Sequence, residues 1–324
     1  MPRRLLFLTL ALSLLIAPAA QAAGLTLGVG TKPGSSQNMV AERFAQLLAE
    51  HSKGRLKVEI LHSGAAGNES QVARHVLDGQ MQLGVVTAAV LDAVAPEVRA
   101  LEFPFLFANY DQVDKVLQGR PGQMLLESLA REGYKGLAYG ENGFRHLTNN
   151  LRPVHTVADV AGLKLRVMNS EMAQALWSLL GADPLAHPFP INDLLAKGEV
   201  SGQENPLWVI RVYELNKLQK YLSLTAHVYS AHICLANLAW FDKLPPADQT
   251  LVSQCMDQAA TEQRARNRSG EASLLAQLKA AGMQVDEHPD RASFMAKAAA
   301  LEQSPLMQAP GAKATLAAFR EALK

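Results

Sequence analysis

The chain has 324 residues, 48% of them apolar and 19% charged, with 31 basic against 30 acidic side chains. That length exceeds one ordinary domain and predicts two lobes, each with a sizeable core. A net charge of +1 argues against nucleic-acid or membrane-surface partners, which select basic patches.

Residues 1–22 read as a secretory leader. Arg3 and Arg4 form a positive start, Leu5 to Ile16 a short apolar stretch, and Ala20-Gln21-Ala22 a small-x-small cleavage site. The stretch falls short of the roughly 20 residues that a membrane span needs. The expectation is export to the bacterial periplasm, with 302 residues left after cleavage. From Leu25 the pattern alternates. Leu25, Leu27 and Val29 predict a strand, and Val40, Phe44, Leu47 and Leu48 one helix face capped by Ser35 or Ser36. Leu56, Val58 and Ile60 predict the next strand, residues 71–77 a helix, and Leu83 to Thr87 a further strand. This rhythm implies a largely parallel sheet covered by helices. Leu101 to Phe107 reads as core. The pattern then restarts with strands at 136–140 and 144–148, and a third through Leu163, Leu165 and Val167. Met172, Leu176, Leu179 and Leu180 mark a helix that Gly181 stops. Beyond Pro245-Pro246 one helix could run to Ala281, long enough to reach across two lobes, or two helices could meet at Ser269-Gly270.

Catalytic signatures are missing: there is no G-x-S-x-G elbow, H-E-x-x-H, phosphate loop or dinucleotide fingerprint. No metal or cofactor is expected. Cys234 and Cys255 could pair in an oxidising compartment or remain two buried thiols. The informative stretch runs from Gly162 to Ser170. A strand's period of two sends Leu163, Leu165 and Val167 to one face and Lys164 and Arg166 to the other. The strand ends at a helix cap, Asn169 or Ser170, where open α/β sheets bind ligands and helix N-termini favour anions. Arg166 is placed there to meet a carboxylate with its planar fork, although a solvated strand face fits the pattern as well. Arg145 lies two residues beyond the permissive Gly143, at the expected lobe boundary. Gly202 to Pro206 reads as a polar turn, in which Pro206 holds Asn205 extended.

With Leu101 to Phe107, Tyr110-Asp111, Gly143 to Thr148, Gly162 to Val167, Gly181 to Pro184 with Phe189, Gly202 to Pro206, and Lys220 to His227, the chain resembles the solute-binding proteins of TRAP transporters, dicarboxylate-binding type. The resemblance covers nearly all the chain beyond the leader. It implies a two-lobed α/β periplasmic binding protein, type II-like, with a hinge and a long bridging helix. It makes Arg166 the principal carboxylate clamp, Arg145 a second cationic contact, Asn205 a side-chain donor and Phe189 an apolar wall. Asn169 and Thr87 match positions near the cleft. Pro190 to Asp193, Ser201 and Ala65-Ala66-Gly67 depart from the family's pattern and leave the ligand's identity open. The expected lobes are residues 23–143 with 232–270, and 144–231 with 271–324. The expected ligand is a small organic anion, by family default a C4-dicarboxylate, with sugar, keto and aromatic acids open. Trp208 and His187 are expected as packing residues. The expected partners are the membrane permease subunits of a TRAP transporter. The rivals are a binding protein that feeds a sensor and an exported enzyme acting on organic acids.

Overall fold

The computed structural model describes residues 23–324, so the expected leader lies outside the described residues. β1 (Ala23–Val29) leads to α1 (Ser36–His51), whose first turn is capped by the Ser35 hydroxyl accepting from Asn38 N. The predicted stripe of Val40, Phe44, Leu47 and Leu48 is buried, each large apolar side chain contributing about 1.5–3 kcal/mol. β2 (Leu56–Leu61), α2 (Glu69–Leu77) and β3 (Leu83–Thr87) continue the winding, with β1 between β2 and β3 in parallel register. After α3 (Tyr110–Leu117) and α4 (Arg120–Ser128), the first of the two strands expected here is longer than read and runs as β4 (Tyr134–Phe144). Arg145 alone separates it from β5 (His146–Asn149).

The second sheet adds β6 (Lys164–Val167), β7 (Asp183–Ala186), β8 (Gly202–Asn205) and β9 (Tyr221–Ser223), with α5 (Glu171–Leu180), α6 (Asn192–Ala196) and α7 (Leu207–Val212) between them. The chain then returns as β10 (Tyr229–Asn237), followed by α8 (Leu238–Asp242), α9 (Pro246–Ala280), β11 (Gln284–Asp286), α10 (Arg291–Ala298), α11 (Pro305–Gln308) and α12 (Pro310–Leu323). The sheets are β2-β1-β3-β10-β4 and β11-β9-β5-β8-β6-β7. Both are mixed rather than largely parallel. β10 enters the first sheet from the second lobe and is antiparallel to β3 and β4, and β5 is antiparallel to β8 and β9.

α9 is one helix of 35 residues, about 50 Å long at 1.5 Å per residue. It packs on α1 and β4 of the first lobe and on α7 of the second. The break considered at Ser269-Gly270 does not occur. Just before it, Arg268 donates to Asp114 at 2.7 and 2.9 Å and to Glu141 at 2.8 Å, pinning mid-helix to the first lobe. A Cβ at Gly270 would meet nothing within 4 Å, so the residue sits in open space where a helical glycine costs only about 1 kcal/mol.

The expected lobe boundaries need one correction. β11 pairs with β9 and α10 packs on α5, both in the second lobe, but α12 returns to the first. It lies on α3, α4 and the 3-10 turn Pro96–Ala100, because its apolar face of Ala312, Leu316 and Phe319 is buried there, with Phe319 6.5 Å from the Phe107 ring. Cys234 and Cys255 are both free buried thiols, and burial pushes the Cys234 thiol up to about 12.

Candidate functional site

A cleft between the two sheets holds about 540 Å³ of non-atom space, open solvent included. All six residues singled out in the sequence, Arg166, Arg145, Asn205, Phe189, Asn169 and Thr87, line it. The strands place them. Thr87 ends β3, Asn205 ends β8, Asn169 follows β6, and Arg145 occupies the crossing from β4 to β5.

Arg166 obeys the alternation of β6: Leu165 and Val167 enter the core and Arg166 points the other way. It is nevertheless 2% exposed, because His187 and Phe189 cover it. Its Nε donates to the His187 carbonyl at 2.8 Å, and its guanidinium carbon lies 5.7 Å from the Phe189 ring centre. No acceptor for its Nη1 or Nη2 is found among the described residues, and burial pushes its pKa down to about 10 against the pull of Glu204. A buried cation whose fork faces a cleft is costly unless an anion joins it.

Arg145, expected as a second cationic contact, is already paired within the protein. It is 2% exposed and grips Glu204 through Nε and, at 2.8 Å, through Nη2. Nη2 also donates to Asn205 Oδ1 at 3.2 Å, while Nη1 is buried without a partner. Burial disfavours the charge on both partners, but their attraction outweighs it. Arg145 is held above its usual range, and Glu204, which also meets His227 Nε2 at 3.1 Å, is pulled down to about 2. Glu204 had no role in the sequence reading. Gly202 to Asn205 is a fully buried strand and not a turn, paired with β5 and β6; in a buried strand Glu204 needs a partner, which Arg145 supplies. Asn205 offers less than expected. Its Oδ1 accepts from Arg145 and its Nδ2 donates to Gln203, leaving one amide hydrogen.

The facing wall comes from the first lobe. Thr87 N donates to Glu69 Oε2 at 2.5 Å, and Gln37 Nε2 donates to the same oxygen at 2.8 Å. Thr87 Oγ1 lies 3.3 Å from His232 Nδ1, and the other ring nitrogen is 2.7 Å from Ser36 Oγ. Burial pushes His232 down to about 3, so the ring is neutral and serves as a hydrogen-bonding strut. Thr31, Gln37, Asn68, Glu69, Ser70 and His232 line the cleft without having been foreseen, since elements far apart in sequence, α1, α2 and β10 among them, bring them together. Trp208, expected as packing, also lines the cleft, its indole N–H donating to the Asn142 carbonyl at 2.7 Å. His187 contributes its backbone carbonyl.

The lobes meet directly on both sides. Asn169 Nδ2 lies 3.5 Å from Ser70 Oγ, and Lys32 Nζ donates to the Val212 carbonyl at 2.9 Å while sitting 4.7 Å from the Tyr213 ring centre. Asp92 of the first lobe accepts from Ser170 Oγ at 2.8 Å and Met172 N at 3.0 Å, at the N-terminus of α5. Beside it Arg99 donates to Glu171 at 2.8 Å.

Residues 27–305 match the family described as bacterial extracellular solute-binding protein, family 7 (DctP). A solute-binding protein of Verminephrobacter eiseniae is 36% identical over 282 residues, covering 86% of this chain and 84% of its own. The 2,3-diketo-L-gulonate-binding periplasmic protein YiaO of Escherichia coli is 34% identical over 84% of each chain. Among solved structures, a TRAP periplasmic solute-binding protein of Polaromonas sp. JS666 bound to D-erythronate is 35% identical. It superposes with a TM-score of 0.86 over 91% of this chain and 98% of its own.

Proposed function

This chain belongs to family 7 of the bacterial extracellular solute-binding proteins, and on that premise we propose that it captures a small organic carboxylate through Arg166. Its relatives are binding proteins and not enzymes. The place of capture is the periplasm, and the solute passes to the membrane subunits of a TRAP transporter. One observation carries the reading: the Arg166 fork is buried, faces the cleft and lacks an anion among the described residues. A carboxylate fits that fork with two parallel hydrogen bonds. Arg145 Nη1 offers a further donor, and the Phe189 ring forms the apolar side.

Calorimetric titration of organic acids tests the assignment. Hydrogen bonds to charged groups contribute about 1.5–3 kcal/mol each, and truncating one partner of a buried charge pair costs about 2–5 kcal/mol. Arg166→Ala is therefore expected to weaken binding about thirtyfold or more at about 1.4 kcal/mol per tenfold. Arg166→Lys keeps the charge but loses the planar contact, for a smaller loss with relaxed selectivity. A folded Arg166→Ala that binds as tightly as wild type removes the clamp. Ligand-dependent uptake that requires both this protein and the transporter's membrane subunits separates a transport role from a sensory one.

A further inference from the structure

The cleft has one cation left over for a ligand and, opposite in kind, one carboxylate. Arg145 is committed to Glu204, and Lys32 at the mouth is committed to the Val212 carbonyl and the Tyr213 ring. Arg166 alone has an open fork. On the first-lobe wall, Glu69 uses only Oε2, which takes both Thr87 N and Gln37 Nε2. Its Oε1 has no donor among the described residues, and the side chain lines the cleft beside Asn68, Ser70, Gln37 and Thr31. A carboxylate oxygen accepts hydrogen bonds and cannot donate them. Once a ligand displaces water from the closed cleft, that oxygen needs a donor supplied by the ligand. A hydroxyl supplies one. A second carboxylate cannot, and would bring a like charge to Glu69 with no second cation to offset it.

We propose that Glu69 is a specificity-determining residue that selects hydroxylated monocarboxylates, of the aldonic-acid type, against dicarboxylates. The carboxylate end meets Arg166, and hydroxyls further along the carbon chain donate to Glu69 Oε1. The neighbouring amides and hydroxyls of Gln37, Asn68, Ser70 and Thr31 donate to or accept from the same polyol, while Phe189 and Trp208 cover its C–H face. Selection rests on both an attractive and a repulsive element, the usual basis of sharp discrimination. The proposal rests on the carboxylate reading of Arg166 and narrows the substrate class from the C4-dicarboxylate default.

The test titrates ligand-stripped protein with D-erythronate, D-gluconate, succinate, L-malate, butanoate and L-threonine. The hydroxylated monocarboxylates are expected to bind at least tenfold more tightly than the two dicarboxylates and butanoate. Glu69→Gln should weaken the aldonates about tenfold and narrow their lead over L-malate by at least that factor. Glu69→Asp keeps the charge but withdraws the oxygen, so it should weaken the aldonates without admitting L-malate. Circular dichroism establishes that each variant is folded. Succinate or L-malate binding as tightly as the aldonates would overturn the proposal, as would an amino acid binding more tightly. A Glu69→Gln variant that shifts every acid equally would do so too. Those failures leave the arginine reading standing if Arg166→Lys still weakens whichever acid binds. Binding of no acid at all would sink both.

Discussion

Two buried ionisable groups near the cleft behave oppositely. Glu204 is paired with Arg145, lies within hydrogen-bond distance of His227, and stays charged. Glu102 is just as buried, yet its Oε1 has no partner, and burial pushes its pKa up to about 8 despite the pull of Arg145. An unfolded chain releases that proton near pH 4.3. Between roughly pH 4.5 and 8 the folded state therefore holds one more proton than the unfolded state, and stability falls as the pH rises through this window. Glu102→Gln removes the titrating group. Its melting temperature should gain on wild type, by a few degrees, as thermal unfolding is followed from pH 5 to pH 8. A constant difference across that range would show that Glu102 ionises normally. Arg145→Ala strands Glu204 as an unpaired buried charge, a change that typically costs about 3–5 kcal/mol.

α5 links closure to chemistry. Its N-terminus follows directly from the strand that carries Arg166, and Asp92 reaches across from the other lobe to accept from Ser170 Oγ and Met172 N. A carboxylate at a helix N-terminus typically contributes about 0.3–1 kcal/mol, and more when partly buried. Because this contact joins the two lobes, it adds to the stability of the closed form without touching ligand. Asp92→Asn should weaken ligand binding up to about fivefold, since affinity scales with the population of the competent state. Titration of that variant with the preferred acid checks it; an unchanged affinity would mean that closure does not depend on the Asp92 contact. The element-level patterns were largely visible beforehand. Val40 to Leu48 and Met172 to Leu180 follow from periodicity, because each helix buries one face, while Leu83 to Thr87 is a short run buried throughout in the middle of the first sheet. The strand at Gly202 to Asn205 was not visible, because its polar side chains are held by Arg145 and Thr148 from β5 and its approach.

At the scale of the whole molecule, the chain passes between sheets at Arg145, again near Thr225 to Val228, and along α9. The first two crossings are tied together by Arg145 N donating to the Val228 carbonyl at 2.9 Å. Such a paired crossing, with Gly143 at φ 115° beside it, is where a hinge is expected to let the lobes rotate as bodies. Ligand drives closure only by binding the closed state better. In the proposed reading, Arg166 on one lobe and the Thr87–Glu69 wall on the other would provide that preference. Solution scattering should show a smaller radius of gyration at saturating ligand, and an unchanged curve would contradict the hinge. The return of α12 to the first lobe adds a further crossing.

The sequence by itself determined the repeating strand–helix pattern, the outward face of Arg166, the absence of catalytic signatures and, through ordered weak motifs, the family. Those features are local or ordered along the chain, so periodicity and spacing carry them. Only the tertiary structure decided that Arg145 is neutralised by Glu204, that Arg166 is the cation left over, and that Glu69 stands on the opposite wall. Charge pairing depends on which side chains the fold brings within a few ångströms. Residues 69, 145, 166 and 204 come together only when two sheets, each interrupted by the other, close on one another.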